Sequence, residues 1–166
     1  TATAGLVPQD PAIALYHETV REEVAETLHH RAKTGRAPHA DTALQRWSVV
    51  ELADRNPRDI SVGQQQRVAL AAMLAHEPPV WLLDEPTRGA DGVAKAWLAG
   101  RLRHHAAHGG AAIVATHDIE SAARYATRVV ALDGGRRVHD LPAARAFAAD
   151  GPFPTQVARL VASAVV

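Results

Sequence analysis

The chain has 166 residues, a length typical of one folded domain that buries a sizeable core. Its 18 basic and 18 acidic residues balance, so no overall field draws the chain to nucleic acid or to an anionic membrane. It has no cysteine, which excludes disulfides and thiolate chemistry, and no apolar run of the roughly 18 residues that span a membrane, so we expect a soluble or peripheral protein.

The first part of the chain predicts a short strand followed by a helical insert. Residues 5–7 are apolar and lead into a polar loop that contains two prolines. A capping-box pattern at Thr19 and Glu22 predicts a helix over residues 20–32. A second helix is predicted to begin after Asp41. Its inner side is predicted to carry three apolar residues, namely Leu44, Trp47 and Val50.

From Gly63 onward, helices and strands alternate, which is typical of an α/β fold with a parallel sheet. The predicted helices cover residues 63–76, 93–108, 119–126 and 143–149, and the predicted strands begin at Val80, Ala111, Thr127 and Arg136. Between the last two strands, Gly134 and Gly135 predict an antiparallel hairpin. A final amphipathic helix is predicted to carry Val157, Leu160, Val161, Ala164 and Val165 on one face.

Two adjacent acids, Asp84 and Glu85, follow the apolar run at residues 80–83. Such a run is typical of a strand that is buried on both faces of a parallel sheet. In open α/β sheets, ligands bind outside the carboxyl ends of the strands. Carboxylates at that edge can hold the water shell of Mg²⁺ or accept a proton from water, so the acids predict a nucleotide site.

A second candidate site precedes the helix that starts near Gly63. Unpaired N–H groups and the positive end of the dipole favour a phosphate at a helix amino end. The hydroxyl of Ser61 could add a hydrogen bond, and Gly63 lets an anion approach the backbone closely. An ordinary serine N-cap explains the same residues, and both interpretations stay open on this segment alone.

Taken together, these segments resemble the motifs of the ABC ATPase family. Residues 60–67 resemble the signature motif, and the other family motifs follow in the family's order: Gln9 resembles the Q-loop, Asp84 the Walker B aspartate, Asp91 the D-loop and His117 the H-loop. The resemblance covers nearly the whole chain. It implies a P-loop NTPase-like α/β fold, in which helices flank a partial parallel sheet and a helical subdomain lies between the Q-loop and the signature motif.

The resemblance also implies the organisation of the chain. Residues 1–166 would form part of one nucleotide-binding domain. Within it, residues 12–62 would be the helical subdomain, residues 63–150 the α/β core and residues 151–166 a carboxyl-terminal helix.

By the same resemblance, individual residues acquire roles. Asp84 and Gln9 would hold Mg²⁺, Glu85 would orient or deprotonate the attacking water, and His117 would stabilise charge on the γ-phosphate. Gln9 would also sense that phosphate. Without the family context, Glu85 could be a solvated loop acid and His117 a structural histidine.

The remaining site residues would act across a dimer. The resemblance implies that the signature residues contact ATP held by a second domain; they are Ser61, Val62, Gly63 and Gln64. Asp91 would cross to the partner, and it could also be the N-cap of the helix that follows.

The sequence departs from the family pattern in three places. Val62 stands where the family has the first signature glycine. Residues 85–91 are similar to the ATPases of energy-coupling-factor transporters, although Ala90 replaces a leucine. No G-x-x-x-x-G-K-[ST] P-loop occurs in the 166 residues, so we expect a carboxyl-terminal part of a longer ATPase that is inactive alone.

The leading hypothesis is the ATP-binding and ATP-hydrolysing subunit of an ABC transporter, with ATP and Mg²⁺ as cofactors. We expect a second nucleotide-binding domain and an integral membrane subunit as partners, no nucleic acid, and a peripheral location at the cytoplasmic face of the membrane. Two alternatives stay open. One is a non-transport ABC ATPase that acts on DNA or ribosomes, and the other is a non-catalytic module that supplies the signature half of a site.

Histidines and tryptophans form two further patterns. His104 and His108 lie four residues apart on a predicted helix, with His105 beside them, and we interpret them as an exposed polar face because metal sites generally need three or four ligands. Core packing is predicted for the three tryptophans, Trp47, Trp81 and Trp97.

Overall fold

The computed structural model describes residues 4–31 and 39–163. Within these ranges, three strands form a parallel sheet in the order β1-β2-β3, and two more form an antiparallel hairpin. The strands are β1 (Ala4–Val7), β2 (Val80–Asp84), β3 (Ala111–Ala115), β4 (Arg128–Asp133) and β5 (Arg136–Pro142).

Helices connect and cover these strands. The α-helices are α1 (Val20–Arg31), α2 (Ala40–Arg46), α3 (Val62–Leu74), α4 (Gly92–Ala107), α5 (Ile119–Ala122), α6 (Ala143–Ala146) and α7 (Gln156–Ser163). Short 3-10 helices cover Pro11–Ala14 and Val50–Leu52. The predicted parallel sheet with flanking helices and a helical insert between β1 and β2 is therefore present.

The register of the parallel sheet brings the strand ends together. Val7 of β1 lies opposite Leu83 of β2, and Asp84 lies opposite Ala115 of β3. Because parallel strands run in the same direction, the residues that follow each strand emerge at one edge of the sheet. Gln9 after β1 and the loops after β2 and β3 therefore share this edge.

One hydrophobic core joins the helical insert to the sheet. The ring of Trp47 lies 5.4 Å from that of Trp81 and 6.1 Å from that of Trp97, measured between centroids. Trp47 and Trp81 are almost fully buried, and Trp97 packs against the cluster. The predicted core packing of the tryptophans is confirmed. Helix α3 lies at the centre of the core, with buried Val68, Ala69, Leu70, Ala71, Ala72 and Leu74.

Helix α2 begins at Ala40, slightly before the predicted start, and ends at Arg46. Ser48 has a φ of 55°, a left-handed conformation that an α-helix does not accommodate. The chain then enters the second 3-10 helix, where Val50 is 46% exposed while Val49 is fully buried. The prediction that Val50 faces the core was wrong, because the break in the helix puts Val49 in that position.

Strand β2 is buried on one face only, in contrast to the predicted burial of both faces. Trp81 and Leu83 are buried against the helical insert, whereas Leu82 on the opposite face is half-buried. Leu82 lies between Leu6 and Ile113 in register, and these neighbours are 59% and 65% exposed. The described residues therefore cover one face of the sheet and leave an apolar stripe on the other.

The elements after β3 differ in length from the predictions. Helix α5 ends at Ala122 rather than at residue 126, and α6 ends at Ala146 rather than at residue 149. The backbone N–H of Phe153 donates to the carbonyl of Ala146 at 3.0 Å, so the chain folds back over the end of α6. The predicted Gly-Gly turn is confirmed, since both glycines have positive φ in the hairpin between β4 and β5.

The apolar side of α7 faces solvent. Val157, Leu160 and Val161 are between 60% and 68% exposed, so the predicted amphipathic helix is present without a partner for its apolar face among the described residues. Three residues of the predicted terminal helices, Ala32, Ala164 and Val165, lie outside the described residues.

A substitution at Gly5 can test the close contact of β1 with α3. A Cβ at Gly5 would lie 2.7 Å from Cδ2 of Leu74 and 2.8 Å from Cγ of Pro78. We expect Gly5→Ala to lower the free energy of unfolding by about 1–3 kcal/mol, measured by urea denaturation, because the core must shift. The matched control is Gly100→Ala in α4, where no atom lies within 4 Å of the added Cβ and a helix-favouring residue should stabilise by about 0.5–1 kcal/mol. Equal effects at the two positions would contradict the packing of β1.

Candidate functional site

A cleft of about 530 Å³ lies at the carboxyl ends of β2 and β3. Its walls come from the turn after β2, the start of α4, the loop after β3 and helix α7. The side chains that matter for its chemistry are Glu85, Thr87, Lys95, His117, Asp118 and Arg159. Of the residues nominated from the sequence, Glu85 and His117 line this cleft.

The backbone holds Glu85 in an unusual conformation. Its φ is 44°, in the left-handed region, which costs a residue with a Cβ on the order of 1–3 kcal/mol. Its N–H donates to the carbonyl of Ala115 at the end of β3, at 2.9 Å, so the strand pairing fixes this turn. The turn directs the carboxylate toward the loop that follows β3.

Three donors from that loop bind the carboxylate of Glu85. Oε1 accepts from the backbone N–H of His117 at 3.0 Å and faces Nδ1 of the same residue at 2.6 Å. Oε2 accepts from the hydroxyl of Thr116 at 3.1 Å. Because Nδ1 faces a carboxylate, it carries a proton and donates, which leaves Nε2 as the ring nitrogen able to contact a ligand. The side chain of His117 is 85% exposed, whereas that of Glu85 is 16% exposed.

These hydrogen bonds determine the charge of Glu85. Burial alone would raise the pKa of its carboxyl group, but the bonds from His117 and Thr116 outweigh burial and lower the pKa. The carboxylate is therefore ionised at neutral pH. It is suited to accept a hydrogen bond from a bound water, and it is a weaker proton acceptor than an ordinary glutamate.

Asp118 contacts residues from three surrounding segments. Its carboxylate accepts from Nζ of Lys95 at 2.7 Å and from the hydroxyl and N–H of Ser121 at 2.7 and 3.0 Å. The hydroxyl of Thr87 lies 3.4 Å from the same carboxylate. Burial would raise the pKa of Asp118, but the bonds from Lys95 and Ser121 hold it far below its usual range. One carboxylate thus joins α4, the turn after β2 and α5.

Sequence reasoning missed three residues of this region. Lys95 lies one turn after Asp91 on a correctly predicted helix, but nothing in the sequence pairs it with Asp118. Arg159 reaches the cleft because the N–H of Gln156 donates to Oε1 of Glu120 at 2.6 Å, which anchors α7 there. The hydroxyl of Tyr125 is buried without a hydrogen-bond partner, and burial together with the charges of Asp118 and Glu85 raises its pKa to about 12.

Asp84 and Gln9 lie at the same edge but outside the cleft. Both are exposed, and no side chain in the described ranges bonds to the carboxylate of Asp84. Mg²⁺ prefers oxygen ligands and binds through one or two carboxylates together with phosphate oxygens and water. A carboxylate and an amide oxygen at the same edge of the sheet fit that preference. Within the described ranges, this edge included, no group of three histidine, aspartate or glutamate residues could hold a metal ion.

The signature-like segment forms the start of α3 and does not line the cleft. Ser61 is the N-cap, with its hydroxyl accepting from the N–H of Gln64 at 3.3 Å, and the Gln64 side chain accepts from the N–H of Ser61 at 2.9 Å. The N-cap interpretation is therefore correct for Ser61. Val62 is 60% exposed, and the space around Gly63 is open. These residues form an accessible helix amino end rather than a wall of the Glu85 cleft.

Asp91 lies between the two regions. Its Oδ1 accepts from the N–H of Ala94 at 2.8 Å, so Asp91 is the N-cap of α4, as the second interpretation of this residue held. The residue is exposed and does not line the cleft. Cγ1 of Val62 lies 3.8 Å from the position that a Cβ on Gly89 would occupy, so the turn before Asp91 lies next to the start of α3.

Within the described ranges, no helix has the length and apolar character needed to cross a membrane.

Comparison with protein families gives a match at the amino-terminal half. The model of the family described as "ABC transporter" matches residues 1–88. A protein of Streptomyces coelicolor that is named as an ABC transporter ATP-binding protein is 45% identical over 159 residues, which cover 95% of this chain. The chain spans 28% of the length of that relative.

Two solved structures share the fold. One is cbiO1 from Clostridium perfringens, described as part of the ABC transporter complex cbiONQ, with a TM-score of 0.73, 30% identity and coverage of 87% of this chain and 59% of that one. The other is the ATP-binding cassette MJ0796, a dimer bound to ADP and Pi, with a TM-score of 0.75, 26% identity and coverage of 85% and 63%. The predicted P-loop NTPase-like α/β fold is confirmed.

The contacts of Asp118 predict that its contribution to the free energy of unfolding depends on pH. A carboxyl whose pKa is lowered by folding stabilises the fold above its unfolded pKa, and it loses that contribution as pH falls toward the lowered value. We expect Asp118→Asn to lower the free energy of unfolding by about 1–3 kcal/mol at pH 7, since charge-assisted bonds are lost, and by a smaller amount at pH 3, where the unfolded carboxyl is mostly protonated but the folded one is still ionised. Denaturant titrations at the two pH values measure this. Asp133→Asn, at an exposed position in β4, is the control and should be nearly neutral at both. A pH-independent effect of Asp118→Asn would count against the Lys95 contact.

Proposed function

Because the chain belongs to the ABC transporter family of ATP-binding proteins, we propose that it supplies part of the ATP-hydrolysing site of a transporter's ATP-binding subunit. The family binds and hydrolyses ATP. The observation that carries the proposal is the ionised Glu85, held by Thr116 and His117 beside the unengaged carboxylate of Asp84. This arrangement supports a site at one sheet edge where a metal, a water and a phosphate would meet.

In this proposal, each side chain has a separate task. Asp84 and Gln9 hold Mg²⁺, which neutralises phosphate charge when it is bound. Glu85 orients the attacking water through its carboxylate, because its lowered pKa favours hydrogen bonding over proton abstraction. His117 uses Nδ1 to bind Glu85 and directs Nε2 to the γ-phosphate.

The chain provides no P-loop motif, so the phosphate cradle lies on another segment or another chain in this proposal. The exposed start of α3 would then face a nucleotide held by a second nucleotide-binding domain, with its free N–H groups toward the phosphates. Ser61 and Gly63 belong to that surface, and Gln64 stabilises its cap. The dimeric, ADP-bound state of MJ0796 supports such a pairing. The position of Asp91 next to this surface is consistent with a contact across the dimer.

We further propose a peripheral location at the cytoplasmic face of a membrane, with the helical insert against an integral membrane subunit. The similarity of cbiO1, which is part of the complex cbiONQ, supports this partner class. So does the likeness of residues 85–91 to energy-coupling-factor ATPases.

Glu85 is the first residue to test for catalysis. In the intact protein that carries this chain, we expect Glu85→Gln to lower kcat for ATP hydrolysis at least about 100-fold with little change in ATP affinity, because water is no longer oriented by a charge. Phosphate release and equilibrium ATP binding measure the two effects. Glu18→Gln, an exposed acid outside the cleft, should retain full activity. An unchanged kcat in Glu85→Gln would contradict the proposed role.

The partner class is tested by purification from membranes. We expect the intact, tagged protein to co-purify with an integral membrane protein, and substitutions on the exposed surface of the helical insert should abolish this association while ATP hydrolysis remains. Consistent recovery of DNA or ribosomes instead would favour the non-transport alternative.

A further inference from the structure

A second cleft, of about 640 Å³, lies at the opposite end of β2 from Glu85. Pro79, which precedes β2, and Gly110, which precedes β3, form its floor. At 3.3 Å per residue, Pro79 and Glu85 are about 20 Å apart, so the two clefts are separate. The proposed ATP chemistry uses none of its side chains. Its charged and polar members are Arg46, Glu77, Arg101, His104, His105 and His108.

Cations outnumber anions in this histidine cleft. Among the described residues, Glu77 is the single carboxylate that lines it, and Glu77 forms an ion pair with Arg46. Arg101 therefore has no carboxylate of its own. Its Nε is buried and has no hydrogen-bond partner in the described part of the chain, and its Cζ lies 4.5 Å from the ring centroid of Trp47. Contact with an aromatic ring compensates a half-buried guanidinium only in part.

The electrostatic environment of Arg101 also favours an anion in the cleft. Burial lowers the pKa of its guanidinium, Glu77 opposes this effect, and the positive charge of Arg46 lowers the pKa further. Two guanidinium groups thus share one acid. An anion in the cleft would relieve the repulsion between the two guanidinium groups.

A structural role at the end of α4 does not account for Arg101. Cations often stabilise helix carboxyl ends. Here the carbonyls of His104, His105 and Ala106 already accept from backbone N–H groups at residues 108–110. Two imidazoles also bind carbonyls: Nε2 of His105 lies 3.2 Å from the oxygen of Pro79, and Nδ1 of His108 lies 2.8 Å from that of His104. The guanidinium of Arg101 takes no part in these bonds.

The floor of the cleft is rigid. The ring of His105 stacks on that of Trp81, with centroids 3.9 Å apart and an interplanar angle of 12°. A Cβ at Gly110 would lie 2.2 Å from the His105 ring, so the absence of a side chain at Gly110 makes room for the stack. His104 and His108 also stack, at 4.1 Å, and both are exposed at the rim. A preformed cleft loses little conformational entropy when a ligand binds.

We propose that the histidine cleft binds a phosphate-class oxyanion through Arg101 and Arg46, with His104 and His108 at the rim. The planar guanidinium fork matches two phosphate oxygens, and two such groups converge here on one space. The volume admits a diphosphate group, so inorganic pyrophosphate or the diphosphate of a nucleotide would fit. This site would be additional to the nucleotide site at the other end of β2.

Calorimetric titration of the intact protein with inorganic pyrophosphate tests the proposal. No other nucleotide is added, because the phosphates of an ATP analogue could themselves occupy the histidine cleft, and the cleft variants distinguish binding there from binding at the Glu85 edge. We expect binding by the wild type and affinity at least about tenfold lower in both Arg101→Gln and Arg46→Gln, because each loses a charge-assisted hydrogen bond. The control is Arg136→Gln on the exposed hairpin strand β5, which should bind as the wild type does.

Arg46→Gln guards against misfolding, since it leaves the packing of Arg101 on Trp47 intact, and circular dichroism checks both variants. A second titration, with ADP, distinguishes the two sources of the bound phosphate group. Tighter binding of ADP than of pyrophosphate identifies a nucleotide as the ligand, and equal or weaker binding of ADP identifies a free phosphate compound. Absence of pyrophosphate binding by the wild type would overturn the proposal. So would unchanged affinity in the two cleft variants, because the anion would then bind elsewhere, for example at the start of α3.

Discussion

The parallel pairing of β2 with β1 and β3 is the constraint on which the candidate site depends. It delivers Gln9, Asp84 and the loop after β3 to one edge of the sheet. The same pairing lets the N–H of Glu85 bond to the carbonyl of Ala115, which holds Glu85 at a positive φ. A slip of one residue between β2 and β3 would break this bond and move the carboxylate away from His117. Chemistry at this edge thus rests on backbone hydrogen bonds as much as on the side chains.

Two carboxylates at the site have opposite functions in the fold. The carboxylate of Asp118 accepts hydrogen bonds from Lys95 and Ser121, and these bonds connect separate segments of the chain. Asp84 has no side-chain partner among the described residues, a state that costs little at an exposed position and suits the cation binding proposed for it. Glu85 is intermediate: its carboxylate is hydrogen-bonded, as that of Asp118 is, but its partners Thr116 and His117 would themselves face the substrate in the proposed site. Its lowered pKa follows from the same contacts that position it, so orientation of water and reduced basicity are physically linked.

Local pattern was enough to find some of these features, and long-range geometry produced the rest. The strand that ends at Asp84 and the cap at Ser61 follow from contiguous residues, and both were predicted. The bond between Glu85 and His117 joins residues 32 apart and depends on strand register, which no local pattern encodes. The same holds for Lys95 with Asp118 and for Arg101 over Trp47. The prediction for Val50 was wrong because Ser48, in a left-handed conformation, follows the end of the helix and a 3-10 helix comes next. Family resemblance proposed His117 as a site residue, but the structure identified its carboxylate partner.

Paramagnetic line broadening by Mn²⁺-ATP tests the central claim most directly, because Mn²⁺ replaces Mg²⁺ and reports its own position. In the intact protein, bound Mn²⁺-ATP should broaden the backbone amide resonances of Gln9, Asp84, Glu85 and His117 most strongly. Those of residues 105–110, at the far end of the strands, should stay comparatively sharp. Broadening centred on residues 105–110, or absent from the sheet edge at Asp84, would contradict the assignment of this edge as the metal-nucleotide site.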